Sequence, residues 1–170
     1  MKQLPTISLR ALEPEDLDLL YHIENDDELW GVGVTNVPYS RYLLHDFISS
    51  STGDIYTDKQ VRLVIENDAQ QTIGLVDIMS FDPKNMKAEL GLVILRAYRH
   101  QGYATAVIQK IHDYARQTLH LHQLYAIIAA SNTVSLHLFQ QMDYHVTAHL
   151  SDWLYDGQHY VDAVVMQHLL

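Results

Sequence analysis

Two hydrophobic periods follow one another along the chain. Apolar residues at alternating positions predict a strand over 61–66, and β-rich runs predict two more over 72–81 and 86–95, which together form an antiparallel meander. The period then changes, because apolar residues recur at helical spacing in a stripe formed by Ala104, Val107, Ile108, Ile111 and Ala115. This stripe predicts a long amphipathic helix directly after the meander.

A strand and two helices precede the meander. The predicted ranges are 7–12 for the strand, and 14–27 and 39–50 for the helices. Pro14 suits the start of a helix, where its missing N–H would be unpaired anyway. In the second helix we expect Tyr42, Leu43 and Phe47 to face the core, together with Leu44 as a further candidate.

Three strands and one helix follow the long helix. The strands are predicted over 123–130, 144–153 and 159–168, and Ser131 or Asn132 can cap the helix between the first two. Asp156-Gly157 predicts a hairpin turn. The unit over 86–130 is expected to be a right-handed parallel crossover. We therefore predict one α/β domain over 1–170, with a mixed, mostly antiparallel sheet and helices on both faces.

Composition narrows the class of protein. Hydrophobic residues make up 48% of the 170 positions and charged residues 19%, which disfavours disorder. The longest apolar runs, such as 125–130, hold about six residues against roughly 20 for a membrane span, so we expect a cytoplasmic protein. The absence of cysteine excludes disulfides, thiolate zinc sites and a cysteine nucleophile, so any group transfer is direct or uses a weaker nucleophile.

Charge is strongly acidic and unevenly distributed. The formal net charge is −10, which disfavours nucleic acid as a partner. Eight of the 21 carboxylates lie between Glu13 and Glu28, and no lysine or arginine follows Arg116. This pattern favours a cationic substrate and an anionic cofactor, although a solvated acidic helix is the alternative for the N-terminal carboxylates.

Candidate chemistry begins where the last strand of the meander ends, in the sequence L-V-I-L-R-A-Y-R-H-Q-G-Y-A-T over 92–105. The first amides of a helix that starts near Gly102 favour a phosphate or pyrophosphate, and glycine allows an anion to approach the backbone closely. Arg96, Arg99 and His100 add positive charge. The chain lacks G-x-x-x-x-G-K-[ST] and G-x-G-x-x-G, which disfavours a nucleotide-hydrolysing P-loop and a dinucleotide fold.

Four short motifs together suggest a family. The segment 99–104 matches [QR]-x-x-G-x-[GA], and 9–16 matches L-R-x-[LA]-x-x-x-D. Ile73-Gly74 and the A-E-L-G of 88–91 match the family's third and fourth strands, and Asn132 to Phe139 fit N-x-x-[AS]-x-x-x-[YF]. On these residues the chain resembles the GCN5-related N-acetyltransferases (GNAT), most of all the branch of spermidine and ribosomal-protein acetyltransferases.

The resemblance implies a GNAT-like fold with a splayed pair of parallel strands and acetyl-CoA as the donor. It places Leu92, Val93 and Ile94 beside the pantetheine arm. It assigns the pyrophosphate to the loop and first helical turn, that is, to Arg99, His100, Gln101, Gly102, Tyr103, Ala104 and Thr105. Asn132 would reach the pantetheine and Phe139 would lie near the thioester. A homodimer formed through the C-terminal hairpin is plausible by the same resemblance.

Acetylation of an amine requires that an ammonium lose a proton and that a thiolate leave. Glu89 is the first candidate for the base, because it interrupts an apolar strand and matches a glutamate common in this branch, although a structural carboxylate is the alternative. Many relatives carry a tyrosine acid where this chain has Phe139. Three explanations stay open: the thiolate leaves unaided, water or another tyrosine such as Tyr144 supplies the proton, or catalysis is weak.

The acceptor is less well defined than the donor. Asp77 interrupts an apolar strand and needs a partner, and with Glu28 it is a candidate to bind substrate. The start of the second helix carries Arg41 where polyamine-binding relatives have acidic residues. We therefore expect a primary amine on a small molecule or a protein N-terminus, with a polyamine acetyltransferase or a weakly catalytic acyl-CoA-binding module as alternatives. The histidines show no metal-ligand spacing, so we expect no metal.

Overall fold

Strands dominate the architecture. In the part of the chain that the computed structural model describes (residues 4–27, 29 and 37–170), seven strands form one sheet in the order β1-β2-β3-β4-β5-β7-β6. Their ranges are β1 Ile7–Ala11, β2 Val61–Asn67, β3 Thr72–Asp82, β4 Lys87–Ile94, β5 Gln123–Ala129, β6 His145–Tyr155 and β7 Tyr160–Leu169. The β4–β5 pair is parallel and the other pairs are antiparallel, which confirms the predicted mixed sheet.

Five α-helices connect the strands within the described residues: α1 Leu17–Glu24, α2 Arg41–Ser50, α3 Ile55–Asp58, α4 Tyr103–Gln117 and α5 Thr133–Gln141. A turn of 3-10 helix over Pro14–Asp16 leads into α1. The one-turn helix α3 was not predicted; the Asp54 side chain caps it by accepting from the Tyr56 amide. Asn132 is the residue that caps α5.

The helices cover both faces of the sheet, as predicted. One face packs on α4 and α5 through a large core that includes Ile108, Ile111 and Phe139. The other face packs on α1 and α2 through Leu20, Leu44 and Val64. Tyr42 and Leu43 are exposed, so the predicted inward face of α2 was wrong at both positions, whereas the further candidate, Leu44, is buried. No helix within the described residues is long and apolar enough to cross a membrane.

Candidate active site

Strands β4 and β5 part after three residue pairs. The pairing runs from Lys87 opposite Gln123 to Glu89 opposite Tyr125, and then stops. Strand β4 nevertheless continues to Ile94, held on its other side by β3, in which Gly74 lies opposite Ile94. Among the described residues, the β4 edge that faces β5 therefore has no strand partner beyond Glu89. This is the splayed parallel pair that the resemblance predicted, and its unpaired edge includes Leu92, Val93 and Ile94.

The first turn of α4 lies directly after the end of β4. Gly102 precedes it with a left-handed φ of 86°, and the first helical hydrogen bond runs from the Ala106 amide to the Gly102 carbonyl at 3.1 Å. The amides of Tyr103, Ala104 and Thr105 consequently have no acceptor within the helix. Such a turn favours an anion at the mouth of the splay.

The reason for glycine at position 102 differs from the one that the sequence suggested. A Cβ there would point to the N-terminal segment, 3.3 Å from Pro5 Cδ and 3.7 Å from Leu4 Cδ2. Glycine is needed for the positive φ and for this close packing, because other residues adopt a left-handed backbone at a cost. An anion at this turn would meet the helix amides themselves, since the space beside the Gly102 Cα is occupied by Leu4 and Pro5.

Two side chains of the loop before α4 bind its own backbone. The Arg99 Nε donates to the Ile94 carbonyl at 2.9 Å, which joins the loop to the end of β4. The Gln101 Nε2 donates to the Ala97 carbonyl at 2.9 Å. His100 is exposed, with a φ of 61°. The loop is thus braced from within, and the Arg99 terminal amino groups make no hydrogen bond or ion pair with described residues.

Asn132, expected near the pantetheine, is half-buried, and Phe139, expected near the thioester, is buried. The Asn132 Oδ1 accepts from the Ser135 amide at 3.1 Å, which caps α5. Phe139 is 6% exposed and its ring meets the edge of Tyr144 at 4.9 Å.

The geometry argues against Tyr144 as the acid for the leaving thiolate. Tyr144 is 0% exposed, so no substrate atom reaches its hydroxyl without a rearrangement. That hydroxyl instead lies 3.2 Å from His112 Nε2, and His112 stacks on His168 with centroids 4.2 Å apart. Burial raises the pKa of Tyr144, which disfavours proton release further.

Glu89 lies at the vertex of the splay, in the last residue pair before the strands part. Its carboxylate is half-buried and forms no hydrogen bond or ion pair with any described residue, and burial raises its pKa. Tyr125 faces it across the pair, and its phenol has a pKa raised by burial and by the Glu89 charge. A partly desolvated carboxylate without a cation is suited to accept a proton.

A second carboxylate on the same face of the sheet is paired. Asp77 on β3 accepts from Arg62 on β2 through both oxygens, from Nε at 2.6 Å and from Nη2 at 3.0 Å. The Arg62 Nη1 also pairs with Glu24 of α1, and its guanidinium lies 5.5 Å from the Phe47 ring of α2. These four residues tie both helices to the sheet. Arg62 in β2 and Asp77 in β3 are charged residues within two consecutive strands, which is a sequence signal for an ion pair between the strands. This signal was missed for Arg62, and Glu24 of α1 was missed as its second partner.

The hairpin register settles a question that the sequence left open. Asp77 lies opposite Gly91 and Met79 lies opposite Glu89, so Asp77 and Glu89 are diagonal neighbours on the face that packs on α1 and α2. Glu28, the other candidate for substrate binding, lies outside the described residues. Arg41 is engaged by Asp18 and lies 4.3 Å over the Tyr21 ring, so its charge is directed to α1.

Comparison with known proteins agrees with this geometry. The acetyltransferase (GNAT) domain family matches residues 6–145. Spermidine N(1)-acetyltransferase of Vibrio cholerae is 24% identical over 156 residues, which cover 92% of this chain and 88% of that protein. The corresponding enzyme of Escherichia coli K12 is 25% identical over 167 residues, covering 98% and 87%.

Solved structures extend the similarity to three dimensions. Spermidine N-acetyltransferase of Vibrio cholerae in complex with CoA and spermine superposes with a TM-score of 0.85 at 26% identity, over 96% of this chain and 95% of that one. The dodecameric form of that enzyme gives a TM-score of 0.82 at 25% identity, over 96% and 93%.

The splayed strands, the free amides of α4 and the unpaired Glu89 are thus found in a chain that belongs to the GNAT acetyltransferase family. It is an acetyl-CoA-dependent N-acetyltransferase, similar to the spermidine N-acetyltransferases.

Proposed function

We propose that this enzyme acetylates a primary amine of a small cationic molecule, and that polyamines such as spermidine are the first acceptors to test. The unpaired, half-buried Glu89 at the vertex of the splay carries the proposal. It is supported by the net charge of −10 and by the similarity to enzymes named for spermidine. The ion pair between Arg41 and Asp18 also lessens one objection to a polyamine, a free cation at the start of α2.

The chain offers a fitting place for acetyl-CoA. The amides of Tyr103, Ala104 and Thr105 would hold the pyrophosphate, with the Arg99 guanidinium beside them. The unpaired edge of β4 would receive the pantetheine, and an amide there can donate to the thioester oxygen. Acetyl-CoA supplies an activated acyl group whose thiolate is a good leaving group.

Glu89, where β4 and β5 separate, would then take up the proton that the acceptor amine loses. A free alkylammonium has a pKa near 10, so the acceptor must lose a proton before or during attack. Glu89 accepts this proton directly or through one water. The thiolate departs without an acid from Phe139, because thiol pKa values are only about 8.5 and the anion is stable enough to leave.

An acetylation assay tests the proposal. The purified chain is incubated with acetyl-CoA and a panel of amines (spermidine, spermine, putrescine, monoamines and peptides with free N-termini), and thiol release and product mass are measured. We expect turnover on polyamines that exceeds turnover on monoamines and peptides. Preference for a peptide would replace the small cation with a protein N-terminus. Tight acetyl-CoA binding without turnover on any amine would indicate an acyl-CoA-binding module.

Two further parts of the proposal concern assembly and location. The β6 edge of the sheet and the adjoining turn expose large apolar side chains, among them Trp153, Tyr155 and Tyr160. Since a Vibrio cholerae relative has a dodecameric structure, we include self-association through the β6–β7 hairpin. Light scattering after gel filtration tests it, and a monomer would contradict it. The chain is proposed to work as one domain, in the cytoplasm.

A further inference from the structure

Arg62 lies at the centre of three charged residues, with Asp77 and Glu24, on the face of the sheet that packs on α1 and α2. We call these three residues the Arg62 group. Arg62 forms hydrogen-bonded ion pairs with Asp77 and Glu24, and it is largely buried. The two carboxylates and one guanidinium sum to a single negative charge. Without Arg62, two half-buried carboxylates would stand uncompensated beside the reaction centre, which is strongly unfavourable in a partly desolvated site.

The Arg62 group lies close enough to Glu89 for its charge to influence the pKa of the Glu89 carboxylate. Asp77 and Glu89 are diagonal neighbours across β3 and β4, a separation of about 7–8 Å in antiparallel sheets. At that range a unit charge changes the pKa of a partly buried carboxylate by about one unit. The charge state of the Arg62 group is therefore felt at Glu89.

We propose that Arg62 is a positioning residue for the acetyl transfer: by pairing with Asp77 and Glu24, it leaves Glu89 as the one uncompensated carboxylate on this face of the sheet, within the described residues. An incoming amine is thereby directed to Glu89 rather than to Asp77. Arg62 acts through charge, and it touches neither substrate nor the reacting atoms. This inference rests on the proposed role of Glu89 as the base.

Other groups near Glu89 do not provide this compensation. Tyr125 of β5 is neutral at physiological pH, since burial and the Glu89 charge both raise its pKa. Glu24 of α1 and Asp77 of β3 are already paired with Arg62. From α2, Phe47 contacts the Arg62 guanidinium with an uncharged ring. Lys87, two residues before Glu89 on β4, is positively charged but forms no ion pair with a described carboxylate. Arg62 is consequently the cation that pairs with Asp77 and Glu24 among the described residues.

A charge-balanced set of variants tests the proposal through the acidic limb of kcat/KM for the amine, measured against pH with acetyl-CoA saturating. Arg62→Gln makes the group more negative by one charge, so the limb moves up. Because Arg62 lies one strand farther from Glu89 than Asp77 does, we expect a shift of less than about one pH unit. Arg62→Gln combined with Asp77→Asn restores the original net charge, so the limb returns to its wild-type position. Asp77→Asn alone moves the limb down, and Arg62→Lys, which keeps the charge, moves it least. Circular dichroism and thermal midpoints establish that each variant is folded.

The outcomes separate this proposal from the one on which it rests. If Glu89→Gln abolishes the acidic limb but neither Arg62→Gln nor Asp77→Asn moves it, Arg62 has only a structural role and the inference is overturned. Should the double variant fail to bring the limb back, charge compensation is likewise excluded. If Glu89→Gln keeps the limb, Glu89 is not the base and both proposals fall. Where Arg62→Gln does not fold, Asp77→Asn decides the matter, because it removes one carboxylate and leaves Arg62 paired with Glu24. If Asp77→Asn leaves the limb at its wild-type position, the inference is overturned.

Discussion

Glu89 and Tyr125 face each other in the last residue pair that joins β4 to β5. Beyond them the strands separate, so a half-buried carboxylate and a phenol lie at the closed end of a cleft whose mouth is the first turn of α4. The pair combines a group able to accept a proton with a neighbour that stays neutral. The predictions below concern this cleft and the scaffold that holds it.

Removal of the Glu89 carboxylate will slow turnover without weakening the donor complex. Glu89→Gln keeps the size of the side chain but cannot accept a proton, so we expect kcat for the amine to fall by about 10²–10⁴-fold. The dissociation constant for acetyl-CoA, measured by calorimetry, is expected to stay within a factor of about two. Glu15→Gln, an exposed glutamate ahead of α1, is the control. Full activity of Glu89→Gln across pH would exclude Glu89 from the mechanism.

A carboxylate placed at position 102 will prevent donor binding. Gly102→Glu forces a side chain against Leu4 and Pro5, strains the left-handed backbone and adds a negative charge at the N-terminus of α4. The turn that would hold the pyrophosphate is thereby distorted, so we expect acetyl-CoA affinity to drop by more than about tenfold. Gly53→Glu is a matched control, since Gly53 has a similar φ of 70° but no atom within 4 Å of its Cβ position. Equal affinity in wild type and Gly102→Glu would refute the phosphate-binding role of this turn.

The close approach of β3 to β4 will not tolerate a side chain at position 74. A Cβ on Gly74 would lie 2.0 Å from the Val93 carbonyl oxygen, so strand β4 must shift. We expect Gly74→Ala to lower the free energy of unfolding by about 3 kcal/mol, measured by urea denaturation. In Gly91→Ala the new Cβ meets only the flexible end of Met79, at 3.0 Å, and we expect a smaller loss. The reverse order would contradict this packing.

Acid will destabilise the fold through His112. Burial and the neighbouring His168 lower the pKa of His112 from 6.5 to about 4. Between these two pH values His112 is protonated in the unfolded chain but neutral in the folded chain. The free energy of unfolding therefore decreases as pH falls from about 6.5 towards about 4. His112→Gln removes this titration, so we expect a shallower dependence of the unfolding free energy on pH in this window. His122→Gln, at an exposed position, serves as the control; an unchanged slope in His112→Gln would contradict the assignment.

The order of elements was predictable because their hydrophobic periods are distinct, as in the alternation of β2 and the stripe of α4. The register was not. Strand β3 shifts its pairing between Met79 and Asp82, and only the structure shows that Asp77 and Glu89 share a face. The exposed Tyr42 and Leu43 illustrate another limit, since three adjacent apolar residues in α2 do not indicate which of them faces the sheet.

The candidate site was predictable only in part. Motifs indicated the first turn of α4 and Glu89 as candidates, because both depend on residues that are close in sequence. The Arg62 group escaped prediction, since its members come from α1, β2 and β3 and meet through long-range pairing. The sequence suggested that the Tyr144 hydroxyl could supply a proton to the thiolate, whereas tertiary packing places this hydroxyl against His112.

Leu4 and Pro5 lie beside Gly102, so the N-terminal segment packs against the turn that is proposed to bind the donor. The Lys110 Nζ adds a second link by donating to the Ile7 carbonyl at 3.1 Å. A donor that binds this turn only in its folded arrangement will suppress local unfolding of β1 as well, through thermodynamic linkage. Hydrogen–deuterium exchange in Ile7–Ala11 thus becomes an indirect gauge of donor occupancy, on a strand that forms no part of the cleft.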